Sequence, residues 1–305
     1  MPKTDLRTPR NATIITGPTS GVGRETVLRM ARGRTLILVG RDSGKLAAIK
    51  KEAERRGGSA VPVVCDFADL ASVRRAAAEI IALDLPIIGL LNNAGIQNPR
   101  VTKTAAGLDM TFVTNHLGPF ALTDALLPHL KDGANVLFIG SATEDPERAM
   151  ARRAGFRGGR YISAEASARG EWLAGGSAQP GMDAYATSKQ CNIVTALALA
   201  RENPRLRVNA MEPGIMFNTG LHDTANPVFV ALTRILGPML APFVKVLSTP
   251  KRAARVIVRI MTGKPTTGVY YDEAGHPMQG SAQLHDSAYQ DRVVAETRAW
   301  LTAHA

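Results

Sequence analysis

Six short runs that are nearly continuous in apolar residues, rather than alternating, constrain the fold more than any other feature of the chain. They are Ala12–Thr16, Thr35–Val39, Ala60–Cys65, Ile87–Leu91, Ala134–Ile139 and Leu206–Met211, with a short seventh at Gly268–Tyr271. A strand with one wet face would alternate; continuous apolarity is what a parallel strand covered on both faces requires. Between the runs, Val22–Arg32, Ser43–Arg56, Leu70–Leu83, Ala105–Leu130 and Asp183–Glu202 read as helices. This alternation predicts an α/β fold: a single doubly wound parallel sheet of about seven strands, with helices on both faces and right-handed crossovers. Ligands of such sheets bind beyond the carboxyl ends of the strands, so the residues just after each run are where chemistry is expected.

Two segments break the rhythm. Ala142–Gly181 is rich in Gly, Ser and Arg, with five Arg and no acid between Arg148 and Ala164. Loops of this length are usually functional lids or disordered. The second, from Ile215 to about residue 246, is apolar and contains prolines. Its Phe217, Leu221, Val228, Phe229, Leu232 and Ile235 recur at helical spacings. They suit either a cover for a hydrophobic substrate or a packing or subunit contact.

Composition narrows the class. The 305 residues are read as one domain, long enough to bury a large core without staples. Two cysteines, Cys65 and Cys191, exclude a disulfide scaffold or cysteine-rich zinc module and suit a reducing, cytoplasmic setting. No signal peptide is evident in Met1–Asp5, and the longest stretch without charge, Leu85–Pro99, is 15 residues with an internal Pro and Gly. That is short of the ~18 needed for a spanning helix, so no transmembrane segment is expected. The net charge of +11 comes mostly from single Arg residues spread along helices. With no long basic run, a nucleic-acid partner is not expected.

The strand ends carry the motifs. After the first run come Gly17, Thr19, Ser20, Gly21, Val22 and Gly23, where glycines let the backbone turn tightly against a pyrophosphate and a helix N-terminus offers free N–H groups. Arg41 ends the second run, where an acidic residue would accept from a ribose 2′-OH. An Arg there is either a surface residue or a fork for a 2′-phosphate, with Arg24 and Lys45 near enough in sequence to share it. Asp66, followed by Phe67, ends the third run and suits either an adenine contact or a helix N-cap. Asn93, Ala94 and Gly95 end the fourth, allowing close packing under a cofactor.

Ser141 follows the fifth run. Tyr185 and Lys189, spaced i, i+4, share one face of the next helix. A phenol is a poor base at neutral pH, but a neighbouring ammonium, reinforced by a cationic nicotinamide, favours the phenolate, giving a proton-exchanging group beside a hydride acceptor or donor. Ser141 would hold the substrate oxygen, and the Asn115 amide would interrupt its helix and support a water linking Lys189 to solvent.

Thr16-Gly17-x-x-x-Gly21-x-Gly23, Asn92-Asn93-Ala94-Gly95, Asn115, Ser141, Tyr185-x-x-x-Lys189 and Pro213-Gly214 stand in an order that resembles the short-chain dehydrogenase/reductase family over roughly residues 10 to 220. Asn115-His116-Leu117-Gly118-Pro119-Phe120 and Val39-Gly40-Arg41-Asp42 look most like its retinol-dehydrogenase-like branch. The resemblance implies a Rossmann fold with an Asn115–Ser141–Tyr185–Lys189 tetrad, NADP(H) in preference to NAD(H), and a lipophilic alcohol, aldehyde or ketone as substrate. It further implies cofactor contacts from Tyr185, Lys189 (to the nicotinamide ribose), Pro213, Gly214 and Ile215, and dimers or tetramers. Two departures stand out. Asn218 occupies the position where the family has Thr, with Thr219 next, and Tyr185 stands 44 positions after Ser141 where the family has about a dozen. A non-catalytic dinucleotide sensor or scaffold on the same fold is the alternative reading.

Overall fold

A computed structural model describes residues 11–214 and 248–304 of the chain. The expectations placed on Ile215, on Asn218 and Thr219, and on the apolar segment 215–246 lie outside the described residues.

The seven strands form one all-parallel sheet in the order β3-β2-β1-β4-β5-β6-β7. They are β1 Ala12–Thr16, β2 Thr35–Gly40, β3 Ser59–Val64, β4 Ile87–Asn92, β5 Leu130–Ile139, β6 Arg207–Met211 and β7 Tyr270–Tyr271. Every residue of β1 is buried, as expected of a central strand covered on both sides. Strand order reverses between β1 and β4, which opens a crevice beyond their carboxyl ends.

Helices α1 Gly21–Met30 and α2 Ser43–Arg55 cover one face, and α3 Leu70–Ala82 and α4 Gly118–Leu126 the other. Asp42 and Asp69 cap α2 and α3 by accepting from Lys45 N–H and Ala71 N–H, each at 2.9 Å. The expected helix over residues 105–130 is shorter and irregular. A single α-turn at Met110–Phe112 passes into a π-helical turn at Val113–Leu117 before α4. Asn115 sits within that turn, which widens the helix at the point where its side chain leaves the ladder.

The segment 142–181, expected to be lid or disorder, is a folded and packed piece. It holds a 3-10 turn at Ala142–Glu144 and two short helices, α5 Ala149–Arg153 and α6 Ala164–Arg169. Phe156, Tyr161, Ala164 and Ala168 are buried. The apolar side chains between its arginines anchor it. The arginines are in part used internally: Arg160 donates to the carbonyls of Ala174 and Gly175, and Arg157 to that of Phe156.

The segment leads into α7, Pro180–Glu202, the longest described helix. Eighteen of its 23 residues are buried. The sheet, the preceding segment and the C-terminal helix α9 Ser287–Ala303 all pack on it, while α8 Pro250–Thr262 lies on the opposite face beside α1. Among the described residues no helix is long and apolar enough to cross a membrane.

Candidate active site

The glycine-rich turn is braced from beneath. Asn93 Nδ2 donates to the carbonyls of Thr16 at 2.9 Å and Gly17 at 3.1 Å. Thr16 Oγ1 accepts from the N–H groups of Asn93 and Ala94, both at 2.9 Å, and donates to Leu91 C=O. Gly17 and Gly21 have φ of +62° and +50°, the left-handed region that glycine enters without strain. Gly23 is required by space: a Cβ there would stand 2.1 Å from Gly17 O. Thr19 and Ser20 sit at the tip of the turn, Ser20 exposed and capping α1 without a side-chain bond. Val22 faces inward and packs in the core.

Arg41, at the end of β2, is exposed and makes no ion pair with a described residue. The two partners expected to share a phosphate with it are engaged elsewhere. Arg24 pairs with Glu52 at 2.6 Å, one helix away, and Lys45 with the Asp42 cap at 3.6 Å. Asp66 is not the cap of α3, a role taken by Asp69; its Oδ1 accepts from Ala68 N–H at 2.9 Å in a local turn. Phe67, expected at the cofactor, is 4% exposed and belongs to the core, with its carbonyl against Gly118. Its side chain is therefore unavailable to a ligand.

Beyond β5, the Ser141 hydroxyl accepts from Thr143 N–H and Oγ1 while its own proton stays free to donate. Ser141 stands beside the Tyr185 phenol and favours its ionised form. Lys189 Nζ lies 5.6 Å from the centroid of the Tyr185 ring and donates to Ile139 C=O at 3.0 Å. Ser141, Tyr185 and Lys189 thus converge at the carboxyl ends of β5 and β6, although Ser141 and Tyr185 are far apart in sequence. Phe156 packs on Tyr185 with ring centroids 6.0 Å apart.

In the chain without cofactor, burial pushes the Tyr185 phenol up to about 12, with the Ser141 hydroxyl partly opposing. Burial also pulls the Lys189 ammonium down to about 8.

The Asn115 amide is bonded on both of its ends to neighbouring groups. Its Oδ1 accepts from Ile96 N–H at 2.8 Å, and its Nδ2 donates to Ile96 C=O at 2.9 Å and Ser188 Oγ at 3.1 Å. Its own carbonyl accepts from Asn192 Nδ2 at 2.9 Å. Asn115 ties the loop after β4, just past Gly95, to α7.

Two groups at the site, Glu144 and Glu212, were not singled out in the sequence: nothing there says that these carboxyls are buried, 0% and 4% exposed. Glu144 accepts from the Ser281 N–H at 3.0 Å and from its hydroxyl. Pro213 and Gly214 follow Glu212 at the end of β6, Gly214 with φ of +82°.

Residues 11–151 match the short chain dehydrogenase family. The chain is 31% identical to polyprenol dehydrogenase of Mus musculus over 94% of its own length and 83% of that protein's. It is 26% identical to retinol dehydrogenase 12 of Mus musculus over 88% and 80% of the two lengths. Among solved structures, a protein from Mycobacterium Paratuberculosis superposes with a TM-score of 0.68 at 25% identity, covering 95% of this chain and 92% of that one.

Proposed function

This chain belongs to the short-chain dehydrogenase/reductase family of NAD(P)(H)-using oxidoreductases, and we propose that within it the protein interconverts a lipophilic alcohol and its carbonyl with NADP(H), using Tyr185 as the acid/base. The observation that carries this reading is the convergence of Tyr185, Ser141 and Lys189 beside a braced glycine turn.

The cofactor reading is supported by fit. The Gly17–Gly23 turn has no room for a side chain at Gly23 and presents the N-terminus of α1, which suits a pyrophosphate. Arg41, exposed and unengaged by described residues, suits a 2′-phosphate; Arg24 and Lys45 are not needed for it. Bound NADP(H) would supply the hydride exchange at the substrate carbon.

The roles of the chain's own residues follow from their chemistry. Ser141 keeps a hydroxyl proton with which to hold the substrate oxygen. Tyr185, protonated at neutral pH, donates its phenolic proton to that oxygen during reduction and recovers it during oxidation. Lys189, anchored on Ile139 C=O, places an ammonium against the phenolate as it forms. Asn115 holds the loop carrying Gly95 against α7 and so fixes the floor of the site. Lipophilic substrates are favoured because the similar proteins are named for polyprenol and retinol.

The test is to mix the protein with NADPH or NADH and a panel of lipophilic aldehydes and ketones, all-trans-retinal included. The reading expects consumption of NADPH with formation of the alcohol. NADPH that binds but is not consumed with any carbonyl would favour the non-catalytic sensor.

A further inference from the structure

The 3-10 turn that follows Ser141 is held at its far end by a buried carboxyl that the tetrad does not use. The main chain of Glu144 closes the turn, its N–H donating to Ser141 C=O at 3.2 Å. Its C=O accepts from Gly159 N–H at 2.9 Å, on the segment between α5 and α6. Its side chain reaches a third piece of the chain, the stretch between β7 and α9. There Oε1 accepts from Ser281 N–H at 3.0 Å and Oε2 from the Ser281 hydroxyl. Gly280 permits that approach, since a Cβ on it would stand 2.7 Å from Glu144 Oε1. Gln190, next to Lys189 on α7, completes the cluster. Tyr289 O–H on α9 donates to its Oε1 at 2.8 Å, which turns its Nε2 toward Ser281 Oγ at 3.3 Å and Glu144 Oε2 at 3.5 Å.

A carboxyl in the interior is costly, and an apolar side chain of the same size would fill the space without that cost. An apolar side chain could not accept from Ser281 N–H, a main-chain donor on a residue that is itself buried. Glu144 therefore ties the stretch before α9 to the turn. Within the turn, Thr143 donates to Ser141 Oγ from its N–H at 3.3 Å and from its Oγ1 at 3.1 Å. Those two donors occupy the serine lone pairs and leave its proton to point outward. Thr143 lies between Ser141 and Glu144, so the place of its donors depends on where Glu144 is fixed. We propose that Glu144 is a positioning residue for the substrate: by tying the turn to Ser281 it fixes Thr143, and through Thr143 the Ser141 hydroxyl. The stretch before α9 thereby helps to shape the reduction site. The inference rests on the reading of Ser141 as the group that holds the substrate oxygen.

A double-mutant cycle with Ser141→Ala separates this role from a merely structural one. Glu144→Met keeps the volume and removes both acceptors, whereas Glu144→Gln keeps an acceptor for the Ser281 N–H. With retinal and NADPH, Glu144→Met should lower kcat/KM by about 10- to 100-fold, the scale of a small misplacement of an aligning group. Glu144→Gln should recover most of that loss. NADPH affinity, set at the glycine turn, should stay within about threefold in both. Because Glu144 acts through Ser141, the Met substitution should cost less than about threefold once Ser141 is already Ala.

The same loss in the Ser141→Ala background, equal losses for Met and Gln, no loss at all, or NADPH affinity falling along with turnover would each overturn the proposal. Should Glu144→Met fail to fold, Ser281→Ala carries the same cycle. It deletes one donor, keeps the main-chain bond, and should cost roughly three- to tenfold in kcat/KM with Ser141 present. The two levels of failure are distinct. A Ser141→Ala variant that reduces retinal at the unsubstituted rate, or an unsubstituted protein that reduces no carbonyl, sinks the reading of the site and this inference with it. Loss of turnover in Ser141→Ala and Tyr185→Phe with any of the overturning patterns above sinks this inference alone.

Discussion

Gly23→Ala isolates the glycine turn from everything else in the molecule. Gly23 is the third residue of α1, where Ala would ordinarily gain up to ~1 kcal/mol of helix stability. Here the added Cβ would meet Gly17 O at 2.1 Å, Asn93 Nδ2 at 2.7 Å and Gly17 C at 2.9 Å, and two of those atoms are main chain. Reaching ordinary contact requires the turn to retreat by more than 1 Å. That movement breaks the Asn93-to-Gly17 hydrogen bond and strains the Gly17 N–H bond to Val39 C=O, which is 2.9 Å long.

Two hydrogen bonds at ~1 kcal/mol each, with an overpacking term of similar size, give roughly 2–3 kcal/mol after the helix gain is subtracted. Because the turn is the proposed pyrophosphate cradle, the cost should fall on cofactor affinity as a 30- to 100-fold weakening, about 1.4 kcal/mol per decade. Fluorescence titration of NADPH into both proteins measures it, with a melting curve to show that the rest of the fold survives. NADPH affinity within twofold of the unsubstituted protein would refute the argument that close backbone approach at Gly23 shapes the cradle.

Three further outcomes are expected. Arg41→Ala should weaken NADPH by about 10- to 100-fold through loss of a charged hydrogen bond while leaving NADH nearly unaffected, read by parallel titrations. Gly44→Ala, on the exposed first turn of α2 where the nearest neighbour to a new Cβ is Asp42 Oδ1 at 3.4 Å, should stabilise by about half a kcal/mol in a urea melt. Glu144, held up to about 7 by burial against 4.5 in the unfolded chain, retains its proton in the folded state over that window, so its contribution falls by roughly 3 kcal/mol as pH rises from about 5 to 8. Glu144→Gln, which can still accept from the Ser281 N–H, should flatten that decline, as urea melts at the two pH values would reveal.

Strand–helix alternation made the layered sheet legible because continuous apolar runs have few other homes. The cluster at the strand ends was legible for a related reason: the doubly wound topology forces strand-end residues together, so Ser141, Tyr185 and Lys189 could be grouped despite a long intervening segment. The internal packing of that segment was not legible: its length suggested a lid or disorder, while Phe156, Tyr161 and Ala168, scattered singly between its arginines, are buried.

Partner choice was equally hidden. Arg24 is near Arg41 in sequence but faces Glu52 across the α1–α2 interface, and Phe67 turns its ring into the core. The Tyr185 phenol illustrates a deeper limit. Spacing places the ammonium beside it, yet only three-dimensional burial reveals the desolvation that raises the phenol in the chain without cofactor.

The central claim is that Tyr185 exchanges the proton while the dinucleotide site stands independently of it. Replacing Tyr185 with Phe and measuring NADPH affinity and NADPH-dependent retinal reduction on the same preparation tests this most directly. The account predicts NADPH binding within about threefold, well under 1 kcal/mol, and turnover lower by a factor of at least about 100, the scale of a lost general acid. Reduction near the unsubstituted rate with binding intact would contradict it.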